Sequence, residues 1–261
     1  MLKQLKKLSR SIRGKSDAPQ PVAAQLPPDL DPRDREILAN VQHATMTSPE
    51  RVSALCSAVR YIQDARIPGD VVECGVWRGG SMMAVASVLQ EQPGLSRHLW
   101  LYDTYEGMTA PTAEDRDSWG AGADSQLAEQ DRDDPRSVWC VSQLEEVQHN
   151  LQQTGYAEAQ MSFVKGPVES TIPEQVPDQI ALLRLDTDWY SSTKHELEHL
   201  YPRLAPGGVL IIDDYGHWNG CRQAVDEYFA EAGIPMLLHR IDYTGRMAIK
   251  VPPLYRSVKV A

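Results

Sequence analysis

Hydrophobic residues follow two different spacings along the chain, one before about residue 66 and one after it. Between residues 31 and 66 they recur every three to four positions, as in Ile37, Leu38 and Val41, and this spacing predicts two amphipathic helices. Beyond them, short apolar runs bounded by turn residues alternate with stretches long enough for a helix. The runs predict five strands, at residues 70–74, 98–102, 161–165, 180–185 and 209–212.

Strands that alternate with helices form a mostly parallel sheet with helices on both faces. The sequence therefore predicts an α/β domain whose ligands bind beyond the carboxyl ends of the strands. Near the C-terminus, two further apolar pieces at 237–241 and 246–251 flank Tyr243-Thr244-Gly245. They predict an antiparallel hairpin at the edge of the sheet.

Two segments differ from this pattern. Residues 1–33 comprise a basic tail and a linker that contains five prolines. Leucines at helical spacing in the tail predict a short amphipathic helix or a frayed end. We assign residues 34–261 to one domain in which 34–66 form a helical cap. Residues 110–140 carry eight acidic residues and follow a predicted strand directly, which predicts an acidic lid or a flexible loop.

Composition narrows the possible partners. A length of 261 residues, with 42% hydrophobic and 24% charged residues, fits one folded domain with appendages. The formal net charge is -10, and such an acidic surface repels phosphate backbones, so we expect no nucleic-acid partner. No apolar run is long enough to predict a transmembrane segment. The four cysteines contain no CxxC pair and fit the reduced thiols of a cytoplasmic protein.

The first predicted strand leads into a glycine-rich turn at residues 71–81. Gly75, Gly79 and Gly80 permit a tight turn and the close approach of a cofactor. The absence of GxGxxG argues against a nicotinamide-dependent oxidoreductase, and a pyrophosphate would avoid the carboxylate of Glu73. Because Glu73 could face a cation, we favour S-adenosylmethionine. Asp103, at the second strand end, is the candidate for the ribose hydroxyls; capping of the next turn is the alternative.

Four carboxylates follow two neighbouring strands. Asp186 and Asp188 close one apolar strand, and Asp213 and Asp214 close the next. Without a cation these groups would raise one another's pKa, so we predict a hard metal ion, and magnesium prefers oxygen ligands. The metal would lower the pKa of a substrate hydroxyl, and a nearby carboxylate would take the proton. Helix capping by single acids would explain one or two of the four.

Six segments carry a family pattern, at residues 68–80, 103–108, 183–188, 200–208, 213–216 and 221–225. In order and spacing, over roughly residues 42 to 250, they resemble the macrocin and mycinamicin O-methyltransferases, a family of sugar O-methyltransferases that includes the noviose methyltransferase of novobiocin biosynthesis. The resemblance implies a class I, Rossmann-like methyltransferase fold that uses S-adenosylmethionine. It assigns magnesium to Asp186, Asp213 and Asp214, and the general base to Asp188. It also implies a homodimer or higher homo-oligomer.

The glycine turn, the second strand end and the resemblance together give the candidate cofactor residues. By resemblance, residues 45–48 reach the methionine end of the cofactor and residues 166–168 lie near the adenine. The full candidate set is Thr45, Met46, Thr47, Glu73, Gly75, Val76, Trp77, Arg78, Gly79, Ser81, Asp103, Thr104, Gly166, Val168 and Asp186.

The resulting hypothesis is a magnesium-dependent O-methyltransferase that acts on a hydroxyl of a small molecule. We favour a sugar of a natural product or polysaccharide as the acceptor. A catechol or phenol acceptor, which could chelate the metal, and a catalytically silent S-adenosylmethionine-binding module are the alternatives. His217 follows the last carboxylate pair and is either a second proton carrier or a histidine of the substrate pocket.

Overall fold

The computed structural model describes residues 26–92, 94–134 and 137–252. The predicted basic tail helix and most of the proline-rich linker therefore lie outside the described residues. Within these ranges, no helix combines the length and the apolar character needed to cross a membrane.

The described residues form one seven-stranded sheet in the order β3-β2-β1-β4-β5-β7-β6. Its strands are β1 (Asp70–Cys74), β2 (Leu99–Asp103), β3 (Met161–Lys165), β4 (Ile180–Leu185), β5 (Leu204–Ile212), β6 (His239–Arg240) and β7 (Arg246–Ile249). The first five run parallel, whereas β7 is antiparallel to β5 and to β6. This confirms the predicted α/β sheet and its C-terminal hairpin. Strand order reverses between β1 and β4, which opens a ligand crevice at their carboxyl ends.

Eight α-helices accompany the sheet in the described residues. They are α1 (Pro32–Val41), α2 (Pro49–Asp64), α3 (Gly80–Leu89), α4 (Ala123–Glu129), α5 (Leu144–Gln153), α6 (Val168–Thr171), α7 (Tyr190–Leu200) and α8 (Asn219–Glu231). The two predicted N-terminal helices start where local chemistry favours it. Asp31 and Ser48 accept hydrogen bonds from the backbone N–H groups of Arg33 and Arg51, and each first helical position is a proline. Helix α1 thus begins inside the segment predicted as linker.

The core has two layers because successive strand residues point to opposite faces. Val71 and Leu182 pack with α1, α2 and α3 on one face. Val72 and Leu183 pack with residues of α7 and α8 on the other face. Both faces of the sheet are therefore buried, as the continuous apolar runs in the sequence predict.

Strand β5 starts at Leu204, five residues before the predicted start at 209. The sequence Pro206-Gly207-Gly208 predicts a turn, but the strand continues through it. Its pairing with β4 passes from Ile180↔Leu204 to Leu182↔Val209 with a shift of register. A bulge at the proline and glycines therefore absorbs the extra residues without ending the strand.

The described residues of the acidic segment, 110–134 and 137–140, form a folded unit that includes α4, which we call the acidic cap. Buried acids hold part of its backbone in place. Asp115 is 1% exposed, and its Oδ1 accepts a hydrogen bond from the Tyr190 N–H at the start of α7 (2.7 Å). Its Oδ2 accepts from the N–H and the hydroxyl of Thr112 (2.6 and 2.8 Å). The segment is therefore attached to the domain by buried carboxylates; its action as a lid stays a prediction.

Glu196 on α7 is a buried acid whose ionisation should make stability depend on pH. It is 0% exposed, and the Thr187 hydroxyl donates to its Oε1 (2.9 Å). Burial raises the pKa of Glu196 well above its ordinary value. In the unfolded chain it ionises near pH 4.3, so the folded state binds the proton more tightly, and stability falls as pH rises above that value.

We expect Glu196→Gln to escape this loss because the amide does not ionise. The free energy of unfolding, measured in urea between about pH 5 and about pH 8, should fall more with rising pH in the wild type than in Glu196→Gln. Parallel pH profiles for the two proteins would contradict a neutral, buried Glu196.

Candidate active site

A cavity of about 430 Å³ lies at the carboxyl ends of the parallel strands. Residues from the turn after β1, the end of β2, and the segments after β4 and β5 line it, together with residues 44–47 before α2. Its size is in the range of small-molecule sites. The topological switch point and the cavity therefore coincide.

The surroundings of the glycine turn restrict the conformation of its backbone. Gly75 has φ +82, and a Cβ at this position would collide with the backbone carbonyl oxygen of Asp186. Trp77 takes φ +46 although it is not a glycine, and such strained residues concentrate at ligand sites. The N–H of Gly80 donates to the carbonyl of Ala44 (2.9 Å). This bond brings the segment that precedes α2 against the turn.

Asp103 lies at the end of β2 and faces the same turn. Its Oδ2 accepts hydrogen bonds from the N–H groups of Val76 and Trp77 (2.7 and 3.0 Å). Its Oδ1 accepts from the N–H of Tyr105 (2.7 Å). Asp103 therefore holds both turns in place, as the capping alternative predicts, and it also lines the cavity. Its role toward a ribose stays a prediction.

Twelve of the fifteen candidate cofactor residues line the cavity. They are Thr45, Met46, Thr47, Gly75, Val76, Trp77, Ser81, Asp103, Thr104, Gly166, Val168 and Asp186. The other three, Glu73, Arg78 and Gly79, are not among its lining residues. Arg78 instead has its Nε 3.2 Å from Oε1 of Glu146.

Glu73 does not lie where the prediction of a carboxylate facing a cationic cofactor places it. The residue is 1% exposed, and its Oε1 accepts a hydrogen bond from Nη1 of Arg184 (2.7 Å). Burial raises the pKa of Glu73 to about 7, although Arg184 opposes this shift. The strand-end acid is thus the counter-ion of a buried arginine, which the sequence analysis did not consider.

Arg184 is 3% exposed and holds the ends of three strands together. Besides Glu73 of β1, it donates to Oδ2 of Asp186 after β4 and to Oδ1 of Asp213 after β5, each at 2.6 Å. Burial alone would lower the pKa of Arg184, but the three carboxylates outweigh it and raise this pKa. An arginine within the apolar run Leu-Leu-Arg-Leu was the sequence signal, because a buried cation needs counter-ions.

A second arginine extends this network to other parts of the chain. Arg51, in the first turn of α2, forms an ion pair with Oδ2 of Asp213, and its Nε lies 3.0 Å from Oδ2 of Asp242. The hydroxyl of Ser48 donates to the same oxygen of Asp242 (2.8 Å). The start of α2 and the loop between β6 and β7 are therefore tied to the strand ends.

Three of the four predicted carboxylates form a cluster that could hold a metal ion. One carboxylate oxygen each from Asp186, Asp188 and Asp214 lie within 4.8 Å of one another. Asp213 is not part of this group, because its two oxygens contact the two arginines. Two of the three predicted metal ligands and the predicted general base thus come together. The ligand set and the role of Asp188 stay predictions.

The electrostatics of this cluster favour a bound cation. Burial and the neighbouring carboxylates raise the pKa of Asp214 well above its ordinary value, and burial raises the pKa of Asp188 to about 7. Oδ2 of Asp214 is buried without a hydrogen-bond partner among the described residues. Close oxygen donors that resist joint ionisation suit a hard divalent cation, which would stabilise their charged forms.

His217 lines the cavity on the side of β5, together with Tyr243 and Thr244 from the hairpin loop. Burial lowers the pKa of His217, so its imidazole is neutral at neutral pH. This placement agrees with the hypothesis of a substrate-pocket histidine. Nothing in the sequence marked the two hairpin residues as part of the site, because they are distant in the chain from the other site residues and carry no chemical motif.

We expect Arg184→Met to destabilise the protein strongly because it leaves three carboxylates without their cation. Removing one partner of a buried ion pair costs about 3–5 kcal/mol, and urea unfolding would measure the loss. Arg33→Met is the matched control, since Arg33 pairs with acids at the surface and its loss should leave the midpoint nearly unchanged. An Arg184→Met midpoint equal to that of this control would contradict the proposed strand-end anchor.

Comparisons with known proteins identify the family of this chain. The Macrocin-O-methyltransferase (TylF) family model matches residues 6–249. The tetracenomycin 4'-O-methyltransferase of Streptomyces olivaceus, which acts on 8-demethyl-8-(2,3-dimethoxy-alpha-L-rhamnosyl)-tetracenomycin C, is 37% identical over 84% of this chain and 80% of its own length. The mycinamicin III 3''-O-methyltransferase of Micromonospora griseorubida is 34% identical over 77% of this chain and 76% of its own.

Solved structures show the same fold. The O-methyltransferase NovP superposes with a TM-score of 0.68 at 29% identity, over 80% of this chain and 83% of NovP. The calicheamicin methyltransferase CalS11, at 16% identity and a TM-score of 0.58 over 83% of this chain and 91% of its own, shares the fold. The resemblance inferred from the sequence is confirmed: this chain belongs to the macrocin O-methyltransferase family of S-adenosylmethionine-dependent O-methyltransferases.

Proposed function

We propose that the protein methylates a sugar hydroxyl of a natural product in a magnesium-dependent reaction. The observation that carries this proposal is the cluster of Asp186, Asp188 and Asp214, which shares one cavity with the glycine turn and Asp103. A methyl donor held by the turn and a hydroxyl held near the carboxylates would occupy adjoining parts of that cavity. Bringing two reactants together in this way is a large part of catalysis.

The named activities of the relatives support a sugar acceptor. One acts on a rhamnosyl tetracenomycin, and its name assigns the methyl group to a 4'-hydroxyl. Another acts on mycinamicin III at a 3''-hydroxyl. These names favour a sugar of a natural product over a polysaccharide as the acceptor of this chain.

Magnesium would be held by Asp186 and Asp214, with Asp213 as the third ligand that the family resemblance implies. When bound, it lowers the pKa of a coordinated hydroxyl. The oxygen donors of the cluster fit this ion. Asp213 would have to share its carboxylate with the arginines, because Arg184 and Arg51 already contact both of its oxygens.

Asp188 is the residue that we propose accepts the proton of the acceptor hydroxyl. It lines the cavity, and it has a left-handed backbone (φ +67) in the segment that follows β4. Beside a bound cation its carboxylate would be ionised and able to accept a proton from a hydroxyl within hydrogen-bond reach. These observations support Asp188 as the proton acceptor for a hydroxyl bound in the cavity.

We expect Asp188→Asn to lower kcat by about 100-fold or more, because a general base contributes roughly 10²–10⁴-fold. Binding of S-adenosylhomocysteine, measured by calorimetry, should be unchanged. Asp178→Asn is the matched control: Asp178 is exposed and precedes β4, at the opposite end of the strand from the cavity. Wild-type turnover by Asp188→Asn would contradict its role as the base.

Removal of the metal should abolish methyl transfer without unfolding the protein. We expect no turnover of glycosides in chelator, recovery on addition of magnesium, and loss of calorimetric magnesium binding in Asp214→Asn but not in Asp178→Asn. Full activity in chelator would contradict magnesium dependence. Faster turnover of free catechols than of glycosides would contradict a sugar acceptor while leaving the metal site intact.

A further inference from the structure

Three aromatic side chains form a rim on the acceptor side of the cavity, and we call Trp119, His217 and Tyr243 the aromatic rim. His217 lies between the other two: its ring centroid is 5.8 Å from that of Trp119 and 6.1 Å from that of Tyr243, both in edge-to-face geometry. His217 and Tyr243 line the cavity. The rim therefore continues the active-site wall outward to Trp119.

The rim exposes apolar surface that the fold itself does not use. Trp119 is 77% exposed and Tyr243 is 52% exposed. Met46, which also lines the cavity, is 52% exposed. Exposed apolar side chains that gather at one cavity mark a binding surface more often than isolated ones do.

Trp119 is exposed but its backbone is held firmly. The N–H groups of Trp119 and Ala121 both donate to Oδ1 of Asp117 (2.9 Å each), and Nε2 of Gln126 donates to its Oδ2 (2.9 Å). The Asn219 side chain at the start of α8 donates to the Asp117 carbonyl (3.2 Å). The acidic cap thus carries the Trp119 indole on a turn whose backbone is held by hydrogen bonds, which lowers the entropy cost of binding a ligand.

Tyr243 is braced on the other side of His217. Its loop is closed by Oδ1 of Asp242, which accepts from the N–H groups of Thr244 and Gly245 (2.9 and 2.7 Å). The N–H of Gly216 donates to the Thr244 carbonyl (2.9 Å), and a Cβ on Gly216 would collide with the Tyr243 carbonyl oxygen. Two separate chain segments therefore hold the backbones that carry Trp119 and Tyr243 in place on either side of His217.

The side chains of the aromatic rim favour an uncharged ligand. Its members are an indole, a phenol and an imidazole, whereas the cavity behind it contains several carboxylates. Aromatic faces and edges favour contact with other apolar rings, and the acidic interior would repel a diphosphate. The aromatic rim therefore favours contact with an apolar ring system over contact with a nucleotide.

We propose that the aromatic rim binds an apolar ring system attached to the methylated sugar, and that Trp119 determines the preference for acceptors that carry one. This inference rests on the proposed function, because it takes the acceptor to be a glycoside whose sugar enters the cavity. The sugar then lies near the carboxylates, and its substituent contacts the rim.

Paired glycosides test the proposal. We would measure binding of naphthyl and methyl α-L-rhamnosides, and of the same pair of L-fucosides, to the protein with S-adenosylhomocysteine and magnesium. Trp119→Ala should weaken binding of the naphthyl glycosides by about tenfold and leave the methyl glycosides unaffected. Trp119→Phe should retain most of the naphthyl preference. Leu237→Ala is the matched control, since Leu237 is 86% exposed and does not line the cavity.

Kinetics should show the same selectivity. In Trp119→Ala we expect a higher KM for the naphthyl glycosides with kcat unchanged, because Trp119 is not among the residues that line the cavity with the carboxylates. Equal binding of naphthyl glycosides by the wild type and Trp119→Ala would overturn the inference. So would Trp119-dependent binding of thymidine-diphospho-rhamnose that is tighter than binding of the naphthyl rhamnoside.

The two proposals fail in different ways. Trp119-dependent binding of naphthyl glycosides without methyl transfer by the wild type would overturn the proposed function and support the rim. Methyl transfer to naphthyl glycosides with the same KM in the wild type and Trp119→Ala would support the proposed function and overturn the rim.

Discussion

The buried guanidinium of Arg184 is the group on which the geometry of the site depends. It lies at the carboxyl ends of β1, β4 and β5 and contacts Glu73, Asp186 and Asp213, one acid from each strand end. A buried charge is tolerated only when it is paired and hydrogen-bonded. The three strand ends are therefore held at a fixed spacing, and the carboxylates beside them take their positions from it.

This pairing also divides the acids into two groups. Glu73 and Asp213 pair with arginines, Asp188 and Asp214 lie at the cavity, and Asp186 belongs to both groups because it contacts Arg184 and is part of the carboxylate cluster that could hold a cation. Arg51 then links the strand ends to α2 and, through Asp242, to the C-terminal hairpin. Segments before the first strand and after the fifth thus shape one site, although they are distant in the chain.

The acidic cap and the C-terminal hairpin form the outer wall of that site. The buried carboxylate of Asp115 attaches the acidic cap to α7, and the backbone carbonyl of Asp117 attaches it to α8 through the Asn219 side chain. Attachment of this kind leaves Trp119 exposed beside His217. The carboxylate cluster at the strand ends and the exposed Trp119 therefore lie on different parts of the chain, which is common where loops cover a rigid scaffold.

The sequence alone determined the five parallel strands, the C-terminal hairpin and the gathering of Asp186, Asp188, Asp213 and Asp214, because apolar runs define strands and parallel strand ends meet at one edge. Only the tertiary structure decided which acids cluster closely enough to hold a cation and which contact Arg184 and Arg51. It alone showed that Glu73 is a counter-ion and that the acidic insertion is a folded cap. The physical reason is distance: charges and aromatic rings act over a few ångströms, and strand register and loop packing set those separations.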